Sequence, residues 1–116
     1  MRYRRLRVQD QLREEVSQIL FKDIRDPGLG FVTVIEVRLT EDLKIAKVYC
    51  SIYGDDAEKA KTMAALNRSK GYIKFLLGQR VKLKYTPDIF FVLDDTSEKA
   101  ARIEEILRRE RDAKAD

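Results

Sequence analysis

The sequence has no histidine, one cysteine (Cys50), one asparagine (Asn67) and no uninterrupted apolar run near the roughly 18 to 20 residues of a membrane span. Each absence excludes something. Without histidine, no side chain has an ordinary pKa suited to shuttling protons at neutral pH, and one cysteine alone supplies no soft metal-ligand set. Cys50 has no partner for a disulfide within the chain, so a reducing compartment, the cytoplasm, is expected. The arginine-rich start is followed by no apolar stretch and no small-residue cleavage site, which excludes a secretory signal. Asp10, Glu14 and Glu15 come too early for an organelle transit peptide. Scarce asparagine beside a charged fraction of 38% is compatible with a heat-adapted source.

What is present fits one domain: 116 residues, 44% of them apolar and dispersed among charges. The net charge of +4 is unevenly spread. Arg2, Arg4, Arg5 and Arg7 form one basic cluster. The segment 67–85 forms the other, with Arg68, Lys70, Lys74, Arg80, Lys82 and Lys84 and no acid. Six cations without a carboxylate exceed what solubility requires, so an anionic partner is the better explanation than a solvated face.

Val8, Leu12, Val16, Ile19 and Leu20 recur at helical spacing and predict an amphipathic helix to about Phe21. Asp26-Pro27-Gly28 then enforces a turn. Phe31–Leu39 is rich in β-branched residues, with the odd positions Phe31, Thr33, Ile35, Val37 and Leu39 predicted as its apolar face. Thr40-Glu41-Asp42 turns the chain into a second strand, where Ala46, Val48, Cys50 and Ile52 alternate with Lys47, Tyr49, Ser51 and Tyr53. Asp55 or Asp56 is placed to cap the next helix, whose predicted inner stripe is Ala57, Ala60, Met63, Ala64 and Leu66. Gly71 is expected to interrupt that helix, which resumes through Ile73, Leu76 and Leu77 and stops at Gly78. Val81, Leu83 and Tyr85, then Ile89–Leu93 beyond Pro87, suggest a last strand with an irregularity. A short helix capped at Thr96 or Ser97 carries Ala100, Ile103, Ile106 and Leu107. We expect a basic arm over 1–7, a single domain over 8–107 and a charged, disordered tail over 108–116.

The order α-β-β-α-α-β matches the type II KH arrangement: an α+β module with a three-stranded sheet and helices packed on one face. Several segments make the likeness narrower. They are Asp26-Pro27 with Gly30 and Val32-Thr33-Val34; Asp42-Leu43-Lys44-Ile45-Ala46-Lys47-Val48-Tyr49; Ser69-Lys70-Gly71; and Pro87-Asp88-Ile89-Phe90-Phe91 leading to Asp94. In this order and spacing the chain resembles the ribosome-binding factor A family, bacterial factors of late small-subunit maturation. The resemblance implies a KH-like fold whose Gly-x-x-Gly loop is replaced by an Ala-x-Gly kink, here Ser69-Lys70-Gly71. It also implies binding to the 30S subunit and 16S rRNA, a role in 5′ end processing, importance in the cold, and release by a ribosome-associated GTPase.

A helix broken at Gly71 exposes amide donors at the start of its second half, where phosphate is favoured. The expected RNA-binding residues are therefore Arg68, Ser69, Lys70, Gly71, Lys74, Arg80, Lys82 and Lys84, with Arg2, Arg4, Arg5 and Arg7 as an arm that orders on RNA. The plainer alternative for Gly71 is that it only lets two helices pack. Tyr49, Tyr53, Tyr72 and Tyr85 stay open between base stacking and packing. Asp94-Asp95 is the one pair that suggests a metal-dependent nuclease; before a capped helix and without histidine it is better explained by the helix dipole. No catalytic residue, cofactor or metal is expected, and the free chain is expected to be monomeric. The rival reading is a basic protein-interaction adaptor with little direct affinity for RNA.

Overall fold

A computed structural model describes residues 2–94, the side chain of Arg2 excepted. The helix expected at 96–107 and the tail over 108–116 lie outside the described residues.

Five elements follow one another: α1 (Arg2–Lys22), β1 (Phe31–Leu39), β2 (Ile45–Tyr53), α2 (Asp56–Arg80) and β3 (Asp88–Leu93). The sheet order is β1-β2-β3, with β1 antiparallel and β3 parallel to β2. This is an α+β fold of order α-β-β-α-β, one helix fewer among the described residues than the sequence suggested.

In α1 the predicted stripe is the buried one: Leu12, Val16, Ile19 and Leu20 all lie in the core. The helix begins at Arg2, however, so the arginines expected on a separate arm occupy its first turns. Arginine is a good helix former, and the apolar face downstream supplies the packing that lets those turns propagate from it.

β1 corrects the predicted phase. Phe31 and Thr33 are exposed while Val34, Val37 and Leu39 are buried. The pairing steps from Val34↔Cys50 to Glu36↔Tyr49, leaving Ile35 as the extra residue of a bulge. One inserted residue exchanges the two faces of a strand, so a period of two read across it fails. β2 has no such defect, and Ala46, Val48, Cys50 and Ile52 are all buried as predicted. The hairpin between them is held by Asp42, whose Oδ1 accepts from the Thr40 hydroxyl at 2.7 Å and from the Lys44 amide at 3.1 Å.

α2 is one helix of 25 residues running through Gly71 and Gly78. Asp55 caps it: its carboxylate accepts from the Glu58 amide while Glu58 reaches back to the Asp55 amide. The buried residues are Lys59, Thr62, Ala65, Leu66, Ile73, Leu76 and Leu77; of the predicted inner stripe Leu66 is buried and Met63 packs on the core, whereas Ala57, Ala60 and Ala64 are exposed. Leu66, Ile73 and Leu77 share one face across Gly71, and the large apolar area they bury fixes the rotation of the helix. Alanines have too little area to compete. A glycine costs about 1 kcal/mol within a helix, less than this packing contributes on either side of it. Gly78 serves another purpose than a cap: a Cβ there would lie 2.8 Å from Thr86 Oγ1, so the glycine lets the chain fold back against α2.

That returning segment is not a strand. Val81 and Pro87 are buried and Leu83 packs on the core, but pairing begins only at Asp88, whose amide donates to the Lys44 carbonyl at 2.8 Å. Pro87, with no amide hydrogen, marks the boundary.

Candidate nucleic-acid interface

The basic segment is divided between two elements. Arg68, Ser69, Lys70, Gly71, Lys74 and Arg80 lie on α2, and Lys82 and Lys84 on the segment joining it to β3. Because α2 is unbroken, the amide donors expected at Gly71 are inside the helix and engaged there, so the phosphate cradle made by a helix start does not exist at this place.

Three of the six cations also have carboxylate partners, at Asp26, Asp88 and Asp23. Arg68 donates from Nε and Nη2 to the two oxygens of Asp26, at 3.0 and 3.1 Å. Asp26 accepts further from the Gly28 amide at 2.8 Å. The Arg68 guanidinium first, and the Gly28 amide second, hold the Asp26 carboxyl below its ordinary value. Lys74 Nζ lies 2.6 Å from Asp88 Oδ1, and Arg80 Nη2 lies 2.9 Å from Asp23 Oδ2. These carboxylates lie 42, 14 and 57 positions from their cations, so a count of charge along the segment could not reveal them.

No carboxylate among the described residues pairs with Lys70, Lys82 or Lys84. Lys70 Nζ sits 5.1 Å from the centroid of the Phe90 ring, and Lys84 Nζ 5.7 Å from that of Tyr85. Gly71 has open space where a side chain would stand. Beside it Tyr72 and Phe75 stack with centroids 6.5 Å apart, both more than half exposed. The three cations and the exposed rings are thus spread over α2, the segment after it and β3, and Lys70 and the Tyr72–Phe75 pair stand on different sides of α2.

The N-terminal arginines form a second place. Lys22 lies seventeen positions along α1 from Arg5, a rise of about 25 Å, and Asp23 just beyond is the partner of Arg80. The two basic clusters therefore do not make one cradle. Arg5 instead lines a groove of about 720 Å³ between α1 and the free edge of β1, with Gln9, Arg13 and Arg38. There Gln9 Oε1 accepts from the Leu39 amide at 2.9 Å, satisfying an edge donor.

Cys50 is fully buried, and burial pushes its thiol up to about 11, which suits a core residue and not a nucleophile. Of the acidic pair, Asp94 directly follows β3 and Asp95 lies outside the described residues.

A family model described as ribosome-binding factor A matches residues 4–107. Ribosome-binding factor A of Halothermothrix orenii is 44% identical over 108 residues, covering 93% of this chain and 88% of its own. That of Thermobifida fusca is 46% identical over 107 residues, covering 92% and 71%. The solution structure of a Thermotoga maritima protein described as a candidate ribosome-binding factor A is similar at a TM-score of 0.70 and 30% identity, covering 79% of this chain and 88% of that one. Coordinates of the Thermus thermophilus factor, fitted into the cryo-electron microscopy map of a 30S complex, match with a TM-score of 0.62 at 25% identity, covering 76% and 92%.

Proposed function

The chain belongs to the ribosome-binding factor A family, and from that premise we propose that it is a non-catalytic assembly factor that binds the maturing 30S subunit through 16S rRNA. The observation that carries this reading is the match over residues 4–107 to a family with a member fitted on the 30S particle. Lys70, Lys82 and Lys84, with which no carboxylate among the described residues pairs, support direct contact with RNA. The arginines of α1 add a second contact, spaced to reach a separate stretch of backbone. Such a factor works by holding one arrangement of RNA more tightly than another; it assists 5′ end processing without cutting the RNA itself. Release by a ribosome-associated GTPase and action in the cytoplasm as a monomer complete the proposal.

The test is co-sedimentation of the purified chain with immature and mature 30S particles, alone and with Lys70, Lys82 and Lys84 changed to glutamate. Preferential association with immature particles, abolished by the triple reversal, is expected. Absence of association in the unsubstituted chain overturns the reading. Association that survives the reversal, without affinity for naked 16S rRNA, favours a protein-bridging adaptor.

A further inference from the structure

The sheet has two faces, and α1 and α2 cover one of them. Among the described residues nothing covers the other face, which carries an ordered array of side chains. By the strand register, Phe31 stands opposite Tyr53, Thr33 opposite Ser51, Glu36 opposite Tyr49, and Arg38 opposite Lys47. On the other side of β2, Tyr49 pairs with Val92 and Lys47 with Phe90. Four rings from all three strands thus share this face. Phe31 is 77%, Tyr53 83% and Phe90 46% exposed.

Cations are interleaved with the rings. The Arg38 guanidinium lies 5.1 Å from the Tyr49 centroid, and the Lys70 ammonium reaches from α2 to within 5.1 Å of the Phe90 centroid. Lys47 stands exposed between them. The two acids at this end are engaged, Glu36 by Arg38 and Asp88 by Lys74. A face meant for an apolar protein surface would bury three cations at a large cost in desolvation. A strand of unpaired nucleotides requires this mixture: rings for the bases and cations for the phosphates between them.

We propose that this sheet face, through Tyr49, Tyr53 and Phe90 with Lys47 and Lys70, is a further RNA site that takes a short unpaired strand of RNA. It extends the reading above, which it presupposes, from a phosphate-binding helix surface to one that also holds exposed bases. Tyr49 and Phe90 are diagonal neighbours on adjacent strands, about 7 Å apart, so consecutive unstacked bases fit them. The face has room for roughly two to four bases. Lys70 joins the two surfaces, because it projects from α2 onto a ring of the sheet.

The experiment uses the full chain and a fluorescein-labelled uridine octamer, read by anisotropy, with a labelled RNA duplex as control. Phe90→Thr and Tyr53→Thr alter exposed strand positions while keeping β propensity, and thermal melting confirms that each variant folds. Each is expected to weaken octamer binding about tenfold while leaving duplex binding unchanged. Lys47→Gln weakens octamer binding and lowers its salt dependence. Octamer affinity that survives the Phe90→Thr, Tyr53→Thr double variant overturns the proposal. So do crosslinks from residues 95–116 onto this face that persist when RNA is added, since the chain's own C-terminal segment then occupies it. Co-sedimentation of the unsubstituted chain with 30S particles separates the two readings: if it binds particles but not the octamer, only this proposal is lost.

Discussion

Arg68 and Asp26 are joined by two parallel hydrogen bonds of 3.0 and 3.1 Å, and this pair fastens the turn after α1 to the middle of α2. The turn is fitted to that grip. Leu29 donates to the Asp26 carbonyl across Pro27-Gly28, and a side chain at Gly28 would meet the guanidinium at 3.0 Å. Two residues on, the Gly30 amide donates to Thr62 Oγ1 at 3.0 Å, a second tie to α2. Arg68, an expected RNA contact by its place in the basic segment, is thus also tied into the fold.

Arg68→Ala is therefore expected to lower the melting temperature without changing the salt dependence of RNA binding, and Arg68→Lys to restore little, because lysine lacks the planar fork. The effect must depend on pH. Asp26 has a folded pKa below its unfolded one, so its stabilising contribution is present above the unfolded value and is lost as the pH falls through the folded value. Melts from pH 7 to pH 2 should show the gap between parent and Arg68→Ala closing at the acid end. A gap that stays constant shows that the pair contributes nothing.

The two glycines of α2 give opposite expectations. Gly71 has nothing within 4 Å of a built Cβ and sits in an exposed helix interior. Gly71→Ala should stabilise the protein by about 0.5 to 1 kcal/mol. At Gly78 the added carbon meets Thr86 Oγ1 at 2.8 Å, on a β-branched side chain with little freedom to turn away. Gly78→Ala is expected to destabilise. Chemical denaturation of both variants checks this, and a loss of stability in Gly71→Ala reinstates a bent helix.

The parts of the fold that were legible in the sequence are those whose packing is regular and local. Leu12, Val16, Ile19 and Leu20 bury one helix stripe, and Ala46 to Ile52 one strand face, because nothing interrupts their period. The bulge at Ile35 is invisible to a pattern of alternation, since an inserted residue leaves composition unchanged while reversing the faces. Gly71 and Gly78 carry breaking signals that packing of Leu66, Ile73 and Leu77 overrides. At the candidate site the cations were legible and their partners were not: Asp23, Asp26 and Asp88 reach Arg80, Arg68 and Lys74 only once the chain is folded. The aromatic face of the sheet left a trace in the alternation of Lys47, Tyr49, Ser51 and Tyr53. Its third strand, carrying Phe90, could be added only with the register known.

Cys50 offers a probe of the core that is independent of RNA. With its thiol pushed up to about 11 by burial, only on the order of a thousandth is thiolate at pH 8, and that fraction is enclosed. A thiol reagent should react with the native chain at the rate of global unfolding and at once in denaturant. Rapid reaction under native conditions shows that the sheet opens locally at β2.

Ion pairing sets the expected salt dependence of RNA binding by α2 and the segment after it. A cation that already faces a carboxylate gains less from a phosphate than one facing water, and contributes correspondingly little to counterion release. With Arg68, Lys74 and Arg80 engaged, three cations remain in the segment, Lys70, Lys82 and Lys84. Three neutralised phosphates give a slope of log affinity against log salt of about −2 to −3. Five or six would require the ion pairs to open on binding. Replacing Lys70, Lys82 or Lys84 by glutamine should each reduce the slope by about one, whereas Lys74→Gln or Arg80→Gln should leave it nearly unchanged. Titration of a 16S rRNA fragment at several salt concentrations, with the α1 arginines changed to glutamine to isolate this surface, measures it. A slope near −5 that drops with every one of the six cations shows that RNA displaces the carboxylates, and that these ion pairs hold the surface closed until the RNA arrives.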